Sequence, residues 1–159
     1  MRRLSLIIAT YNRSEQLMVT LRSVAAQSAE PLQWECIVVD NNSQDDTRQR
    51  VEEFASAHRQ LCVRYLFEPK QGLSHARNAG IVAAEGEILA FIDDDERIVE
   101  EFVEAYIDLF DGCSEAMSAG GKIIAEYPSG RPSWHDIHYR AMVIPSPVTD
   151  CSQRFIGNN

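Results

Sequence analysis

The chain has 159 residues, of which 45% are hydrophobic and 25% charged, and its formal net charge is −9. This length fits a single domain with a core of its own. The acidic balance argues against a nucleic-acid partner, because surfaces that bind nucleic acid are usually basic.

The cysteines and the hydropathy of the sequence indicate where in the cell the protein is expected. Cys36, Cys62, Cys113 and Cys151 form no Cys-x-x-Cys pair, so we expect no zinc site. We expect all four thiols to be reduced, which predicts a cytoplasmic location. No stretch reaches the ~20 apolar residues of a membrane span, and no secretory signal follows Met1. Peripheral association with the inner face of the membrane stays open.

Apolar runs alternate with amphipathic segments along the first 125 residues. The apolar runs predict strands at 4–9, 34–39, 61–67, 86–92 and 116–124. Helical spacing of apolar residues predicts a helix capped by Ser14, one with Asp45 and Asp46 in its first turn, one from Leu73 to Ala84, and one over 99–110. Alternating strands and helices predict an α/β fold, a three-layer α/β/α sandwich with a mainly parallel sheet.

Polar side chains follow three of the predicted strands, at the point where each strand ends. These clusters are 10–13, 40–43 and 93–95. Ligands of parallel α/β sheets bind beyond the carboxyl ends of the strands. We therefore expect the three clusters to meet at one edge of the sheet and to form a ligand site there.

The third cluster is three consecutive aspartates, Asp93, Asp94 and Asp95. Two such charges about 4 Å apart repel by roughly 4 kcal/mol at an effective dielectric of about 20. Mg2+ or Mn2+ would relieve this repulsion, because these ions bind carboxylate and phosphate oxygens. A solvated acidic turn would relieve it as well, so both interpretations stay open at this point.

Four other side chains suit a nucleotide ligand. Asp40 could accept hydrogen bonds from a base or ribose, or cap a turn. Tyr11 could stack on a base, or cover the core. Arg13 and Arg77 could bind phosphate oxygens, or be solvated.

Several common nucleotide and hydrolase motifs are absent from the sequence. There is no GxxxxGK[ST] loop, no GxGxxG after the first strand, and no GxSxG turn. We therefore do not expect a P-loop NTPase, a dinucleotide-dependent oxidoreductase or an α/β-hydrolase.

Four blocks at 5–13, 37–43, 72–80 and 91–95 occur in an order and at a spacing that resemble a known family. The chain from 4 to 124 looks like the nucleotide-sugar-binding half of a family 2 glycosyltransferase of the GT-A fold. By position, the three consecutive aspartates match the family's DxD motif. The resemblance implies metal ligation by Asp95 and Asp93. It implies nucleotide-sugar binding by Thr10, Tyr11, Asp40, Arg77, Asp93 and Asp94, and we add Arg13 to this set for its chemistry.

The same resemblance implies an activity, a cofactor and partners. The expected cofactor is Mg2+ or Mn2+, and the expected donor is a UDP-, GDP- or dTDP-sugar. The acceptor would be a hydroxyl of a glycan, a lipid-linked sugar or another molecule, as in polysaccharide biosynthesis. The hydroxyl would attack the anomeric carbon with inversion while a carboxylate base takes its proton.

Two departures from the family pattern stand out. Asn41 occupies a position where many members have a second aspartate. The segment 155–159 resembles the start of the acceptor region that carries the catalytic base, so we expect the base to lie beyond Asn159. Asp136 and Asp150 are base candidates by chemistry only.

These departures shape the expected domain organisation and activity. We expect a donor-binding domain over 1–125 and the truncated start of an acceptor-side region over 126–159, with poor turnover. The alternatives are a nucleotidyltransferase and a non-catalytic nucleotide-sugar-binding domain.

Overall fold

The computed structural model describes residues 3–124, which contain four strands, four α-helices and one 3-10 turn. The strands are β1 Leu4–Thr10, β2 Trp34–Asp40, β3 Val63–Phe67 and β4 Ile88–Asp93. The α-helices are α1 Ser14–Ala25, α2 Thr47–Ala57, α3 Leu73–Ala83 and α4 Phe102–Gly112, and the 3-10 turn is Pro31–Gln33.

The four strands form one parallel sheet in the order β3-β2-β1-β4. Thr10 at the end of β1 pairs with Asp40 at the end of β2, and Ala9 pairs with Asp93 at the end of β4. The carboxyl ends of these three strands are therefore level at one edge of the sheet, as the sequence predicts.

Helices cover both faces of this sheet. The larger core joins the sheet to α1, α2 and α4 through residues such as Leu21, Val51 and Val103, and the smaller core joins it to α3 through Ala76. The chain moves across the sheet in one direction from β1 to β3 and then returns past β1 to form β4. Because the crossovers are right-handed, this change of direction puts α3 on the opposite face from α1 and α2. The predicted three-layer α/β/α architecture is confirmed.

α3 lies unusually close to the sheet. A Cβ atom added to Gly80 would come within 2.5 Å of the Ile7 Cγ2 atom and 3.3 Å of the Val39 Cγ2 atom. Only glycine leaves room for this approach. The close packing fixes the position of α3, whose first turn borders the candidate site described below.

The amino-terminal edge of the sheet holds a buried polar network around Glu35. The Ser5 hydroxyl and the Glu85 amide donate to Glu35 Oε1, at 2.7 and 2.8 Å. Arg64 Nη1 donates to Glu35 Oε2 at 2.7 Å, and the Gly86 amide donates to the Ser5 hydroxyl at 2.9 Å. The network joins β1, β2, β3 and the connection before β4.

Three of the predictions for local structure are wrong. Asp45 and Asp46 precede α2, which begins at Thr47, instead of lying in its first turn. Residues 113–124 contain no helix or strand, although a strand is predicted at 116–124. Gly120 weakens strand formation there, and the side chains of Met117, Ile123 and Ile124 are exposed. Ser14 is the first residue of α1 rather than its cap, and its amide donates to Asp45 Oδ2 at 3.1 Å.

The cysteines also differ from expectation. Cys36 and Cys62 are free thiols, whereas Cys113 is disulfide-bonded, so the prediction of four reduced thiols is wrong for Cys113. The spacing of cysteines in a sequence does not show which of them the fold brings together. Burial raises the pKa of the Cys36 thiol, which therefore stays protonated.

Helices long and apolar enough to cross a membrane do not occur between residues 3 and 124. The predicted loop after Glu126, the base candidates Asp136 and Asp150, and the segment 155–159 lie outside the described residues. The fold of residues 3–124 therefore does not test the expectation that the catalytic base lies beyond Asn159, which stays a prediction.

Candidate functional site

The carboxyl ends of β1 and β4, which were predicted to meet, are joined by a hydrogen bond. The Thr10 hydroxyl donates to Asp94 Oδ2 at 2.8 Å across 84 residues of sequence. The Thr20 hydroxyl of α1 donates to the Asp94 main-chain oxygen at 2.9 Å. Asp94 is buried, with 6% of its surface exposed. These bonds hold the aspartate cluster against the end of β1.

Two arginines offset the charge of the three aspartates. Arg13 Nη1 lies 3.2 Å from Asp94 Oδ1 and 2.9 Å from Asp95 Oδ2. Arg77 Nη2 lies 3.2 Å from Asp93 Oδ1. The hydrogen bond to Asp94 and the negative charges raise the pKa of Arg13 above its usual value. The sequence indicates both the acids and the arginines but not their pairing, because the pairing depends on how the loops meet.

Asp40 is buried and takes part in a local network. Tyr65 Oη donates to Asp40 Oδ2 at 2.7 Å, and the Ser43 amide donates to Asp40 Oδ1 at 2.8 Å. Burial and the bond to Asp40 both raise the pKa of the Tyr65 phenol. Both carboxylate oxygens of Asp40 are therefore engaged, and the carboxylate stabilises the turn after β2.

The loops after β1 and β2 are bonded to each other. The Asn12 amide donates to the Ser43 hydroxyl at 2.9 Å, and the Gln44 amide donates to Asn12 Oδ1 at 2.7 Å. Asn12 has a φ of 51°, a left-handed conformation that asparagine tolerates better than most residues. This junction fixes the segment that carries Tyr11 and Arg13.

A cavity of about 340 Å³ opens at this edge of the sheet. Four residues predicted from the sequence to bind the ligand line it: Thr10, Tyr11, Arg13 and Asp94. Its other lining residues are Ala9, Asn41, Gln71, Gly72, Leu73 and Ala76. Asp40, Arg77, Asp93 and Asp95 do not line the cavity, although Arg77 and Asp93 pair with each other and Asp95 pairs with Arg13.

Asn41 and Gln71 are site residues that the residue-by-residue reasoning does not select. Asn41 appears in the sequence only as a departure from an aspartate. Gln71 immediately precedes the block 72–80 that carries the resemblance. That block begins a helix whose N-terminus faces the strand ends. Its position could have indicated that Gln71 lies at the site.

The aspartates offer a partial metal site. Among residues 3–124, no three His, Cys, Asp or Glu side chains are grouped so as to hold a metal ion. The side chains of Asp93 and Asp95 are 61% and 54% exposed, so their oxygens remain accessible. A hard cation such as Mg2+ commonly takes one or two carboxylates and completes its shell with water and substrate phosphates. The donor set fits such an ion only together with a phosphate ligand.

Comparison with protein families defines the class of this site. The model of glycosyl transferase family 2 matches residues 5–155. The chain belongs to glycosyl transferase family 2. The expected family is therefore confirmed.

A relative of known sequence supports this membership. The glycosyltransferase AglE of Haloferax volcanii is 33% identical over 126 residues, which cover 79% of this chain and 41% of AglE. The chain spans less than half of the length of the curated relatives it matches.

Two solved structures share the fold. A crystal structure of S. aureus TarS residues 1–349 in complex with UDP superposes with a TM-score of 0.65 at 29% identity, covering 70% of this chain and 33% of that one. The mannosyltransferase PcManGT of Pyrobaculum calidifontis, in complex with GDP-Man and Mn2+, has a TM-score of 0.68 at 24% identity and covers 79% of this chain and 36% of that one. The expected GT-A fold is confirmed.

Proposed function

We propose that this chain supplies the nucleotide-sugar donor site of a metal-assisted, inverting glycosyltransferase. The observation that carries the proposal is the convergence of the β1, β2 and β4 ends around one cavity, with Thr10 bonded to Asp94 at 2.8 Å. Family membership supplies the reaction class. The relative TarS was crystallised with UDP, which supports a nucleoside diphosphate as the ligand.

The cavity suits the nucleoside part of such a donor. Tyr11, which is 44% exposed, offers a ring for a base to lie against. Thr10 lines the same cavity and offers polar atoms to the nucleoside. Asp40 supports the turn beneath. It is buried and does not line the cavity, so a direct contact with the nucleoside would require the loops around it to move.

The diphosphate would lie towards the paired arginines and aspartates. Arg13 and Arg77 can form charge-assisted bonds to phosphate oxygens once they leave their aspartate partners. Asp95 and Asp93 would hold Mg2+ or Mn2+ together with the diphosphate. When bound, the cation would offset the negative charge that develops on the leaving diphosphate.

The proposed reaction is a direct displacement. The acceptor oxygen forms a bond to the anomeric carbon while the bond from that carbon to the diphosphate oxygen breaks. The bonding electrons leave with the nucleoside diphosphate, and the hydroxyl proton passes to a carboxylate base. We assign no base among residues 3–124, so the acceptor and the turnover of this chain stay predictions, as does the cytoplasmic location.

Calorimetric titration of the 159-residue chain with UDP, GDP and dTDP, each with and without Mn2+, tests the donor site. We expect one of the diphosphates to bind, and to bind more tightly with Mn2+. The matching nucleoside monophosphate is the control, because it lacks the second phosphate that the cation would bridge.

The outcomes separate the proposal from its alternatives. Binding of a diphosphate that does not respond to Mn2+ would remove the metal from the proposal but keep the nucleotide site. Failure of all three diphosphates to bind under both conditions would contradict the donor-site proposal as a whole.

A further inference from the structure

We infer that Asn41 is a positioning residue that sets the wall of the donor cavity by holding the 68–72 loop. This inference rests on the proposed donor site, and it concerns a residue that does not itself carry charge for the ligand. Asn41 is 5% exposed and follows the last residue of β2.

The amide of Asn41 is saturated by one loop. Its Nδ2 group donates to the Lys70 main-chain oxygen at 2.8 Å and to the Glu68 main-chain oxygen at 3.2 Å. Its Oδ1 atom accepts the Gly72 amide proton at 2.7 Å. Three bonds from a single side chain therefore fix both ends of a five-residue connection.

The backbone around Asn41 is equally constrained. Its own amide donates to the Thr10 main-chain oxygen at 2.9 Å, and the Glu68 amide donates to the Asp40 main-chain oxygen at 2.9 Å. The side chain therefore projects from a fixed point between β1 and β3. Its bonds therefore hold the 68–72 loop at a fixed distance from β2.

The loop leads directly into the site. Gly72 has a φ of 138°, which glycine adopts readily and other residues rarely do. It immediately precedes α3, whose residue Arg77 pairs with Asp93. Gln71 and Gly72 both line the cavity, as does Asn41 itself. Releasing Asn41 would therefore shift one wall of the cavity and the helix that carries Arg77.

The chemistry explains why an amide suits this position. Asparagine provides two N–H donors and an acceptor, whereas an ionised aspartate only accepts. Asn41→Asp would keep an acceptor for the Gly72 amide but would place a negative charge against two carbonyl oxygens. A protonated aspartic acid regains one donor, so the defect should depend on pH.

The test compares Asn41→Asp with Asn42→Asp, which makes the same chemical change one residue later. Asn42 already has a φ of 69°, a conformation that aspartate also tolerates, and its side chain is partly exposed. The dissociation constant of the diphosphate that binds wild type best, with Mn2+, is measured at pH 8 and at pH 5.5. Amide hydrogen exchange of residues 68–76 is measured without ligand.

For Asn41→Asp we expect the dissociation constant at pH 8 to rise about tenfold relative to wild type. At pH 5.5 this ratio should be somewhat smaller than at pH 8, because burial against two carbonyl oxygens would raise the pKa of the new carboxyl above its usual value of about 3.9. The Gly72 amide should exchange faster in this variant than in wild type. Asn42→Asp should stay within about twofold of wild type at both pH values.

Two results would overturn the inference. They are equal effects of the two variants, and a Gly72 amide that exchanges freely in wild type. The last measurement needs no variant, so the test stands even if Asn41→Asp fails to fold. If wild type binds no diphosphate, the donor-site proposal fails, and the exchange data still decide whether Asn41 holds the loop.

Discussion

The two ends of the parallel sheet both carry carboxylates paired with arginines, but in opposite environments. At the amino-terminal end, Glu35 is fully buried, and both its oxygens accept hydrogen bonds. At the carboxyl end, Asp93 and Asp95 each contact one arginine and remain more than half exposed. A carboxylate paired with an arginine therefore has a different role at each end of the sheet.

The difference shows how burial separates a structural carboxylate from one that is available to a ligand. A buried carboxylate must have its acceptors filled by the protein, because removing one partner leaves an unpaired buried group. An exposed carboxylate is solvated, so exchanging its arginine partner for a metal cation costs little. Changes at Glu35 should therefore alter stability, and changes at Asp93 and Asp95 should alter binding.

The largest expected effect is on stability, from Glu35→Gln. The amide nitrogen of glutamine would face Arg64, another donor, where Glu35 Oε2 now accepts a bond at 2.7 Å. We expect the free energy of unfolding to fall by about 2–3 kcal/mol, since a buried bond to a charged group is lost. Urea unfolding followed by circular dichroism measures this loss.

The matched control is Glu101→Gln, because Glu101 is exposed. It should change the free energy of unfolding by less than about 0.5 kcal/mol. Equal stabilities of the two variants would show that the Glu35 network contributes nothing to the fold, and would break the comparison of the two ends.

The second expected effect is on binding, from Asp95→Asn. Loss of groups that support a metal site typically costs 10–100-fold, so we expect nucleotide affinity with Mn2+ to fall at least about tenfold. Without Mn2+ the affinity should stay near that of wild type. Calorimetry measures both values, and the free energy of unfolding should be unchanged.

Asp108→Asn is the control for lost negative charge, because Asp108 is an exposed residue of α4 away from the cavity lining. If the two variants lose the same affinity, the effect is one of net charge, and Asp95 has no role as a metal ligand.

A third expected effect concerns pH. Burial raises the pKa of Glu35, but the bonds from Arg64, Ser5 and the Glu85 amide lower it more, so its pKa lies below the usual value. A carboxylate with a lowered pKa stabilises the fold above its unfolded pKa, about 4.3 for glutamate, and loses that contribution as pH falls through the folded pKa. The stability difference between wild type and Glu35→Gln should therefore shrink as pH falls below about 4.3.

Urea unfolding of both proteins between pH 7 and pH 3 measures this convergence. A difference that stays constant over the whole range would mean that the charge of Glu35 does not contribute, and that only the shape of its side chain matters.

The alternation of strands and helices in a mainly parallel sheet was predictable from the sequence, and the shared edge of the strand ends followed from it. The near-continuous apolar runs of β1 and β2 indicate strands covered on both faces. Since parallel strands share one carboxyl edge, the clusters at Thr10, Asp40 and Asp93 had to meet. The structure confirms that edge through the Thr10–Asp94 bond.

The individual roles within the edge were less predictable, because they depend on contacts between distant loops. Asp40 looks like a ligand contact in the sequence, yet Tyr65 from β3 engages it. In the sequence, Asn41 stands out only as a replacement for an aspartate. In the structure, its side-chain amide donates a hydrogen bond to a loop that begins 27 residues later. The strand expected at 116–124 is absent, since apolar composition alone provides no pairing partner.

The smallest expected effect separates the two interpretations of Asp40. Tyr65→Phe removes the bond at 2.7 Å to Asp40 Oδ2 and should lower the free energy of unfolding by about 1 kcal/mol, the usual net value of a hydrogen bond. The stability and affinity of this variant are compared with those of wild type. Tyr11→Phe cannot serve as a control tyrosine substitution, because Tyr11 lines the cavity.

The affinity of Tyr65→Phe for nucleotide then distinguishes the two roles. If Asp40 only supports the turn after β2, nucleotide affinity should change less than about twofold, which lies within the usual effect of a remote substitution. If Asp40 contacts the nucleoside, losing the bond that orients its carboxylate should change the affinity by more than about twofold both with and without Mn2+, because that contact would not involve the cation. Calorimetric titration under the two metal conditions therefore decides whether the carboxylate at the end of β2 belongs with Glu35, as part of the framework, or with Asp95, as part of the site.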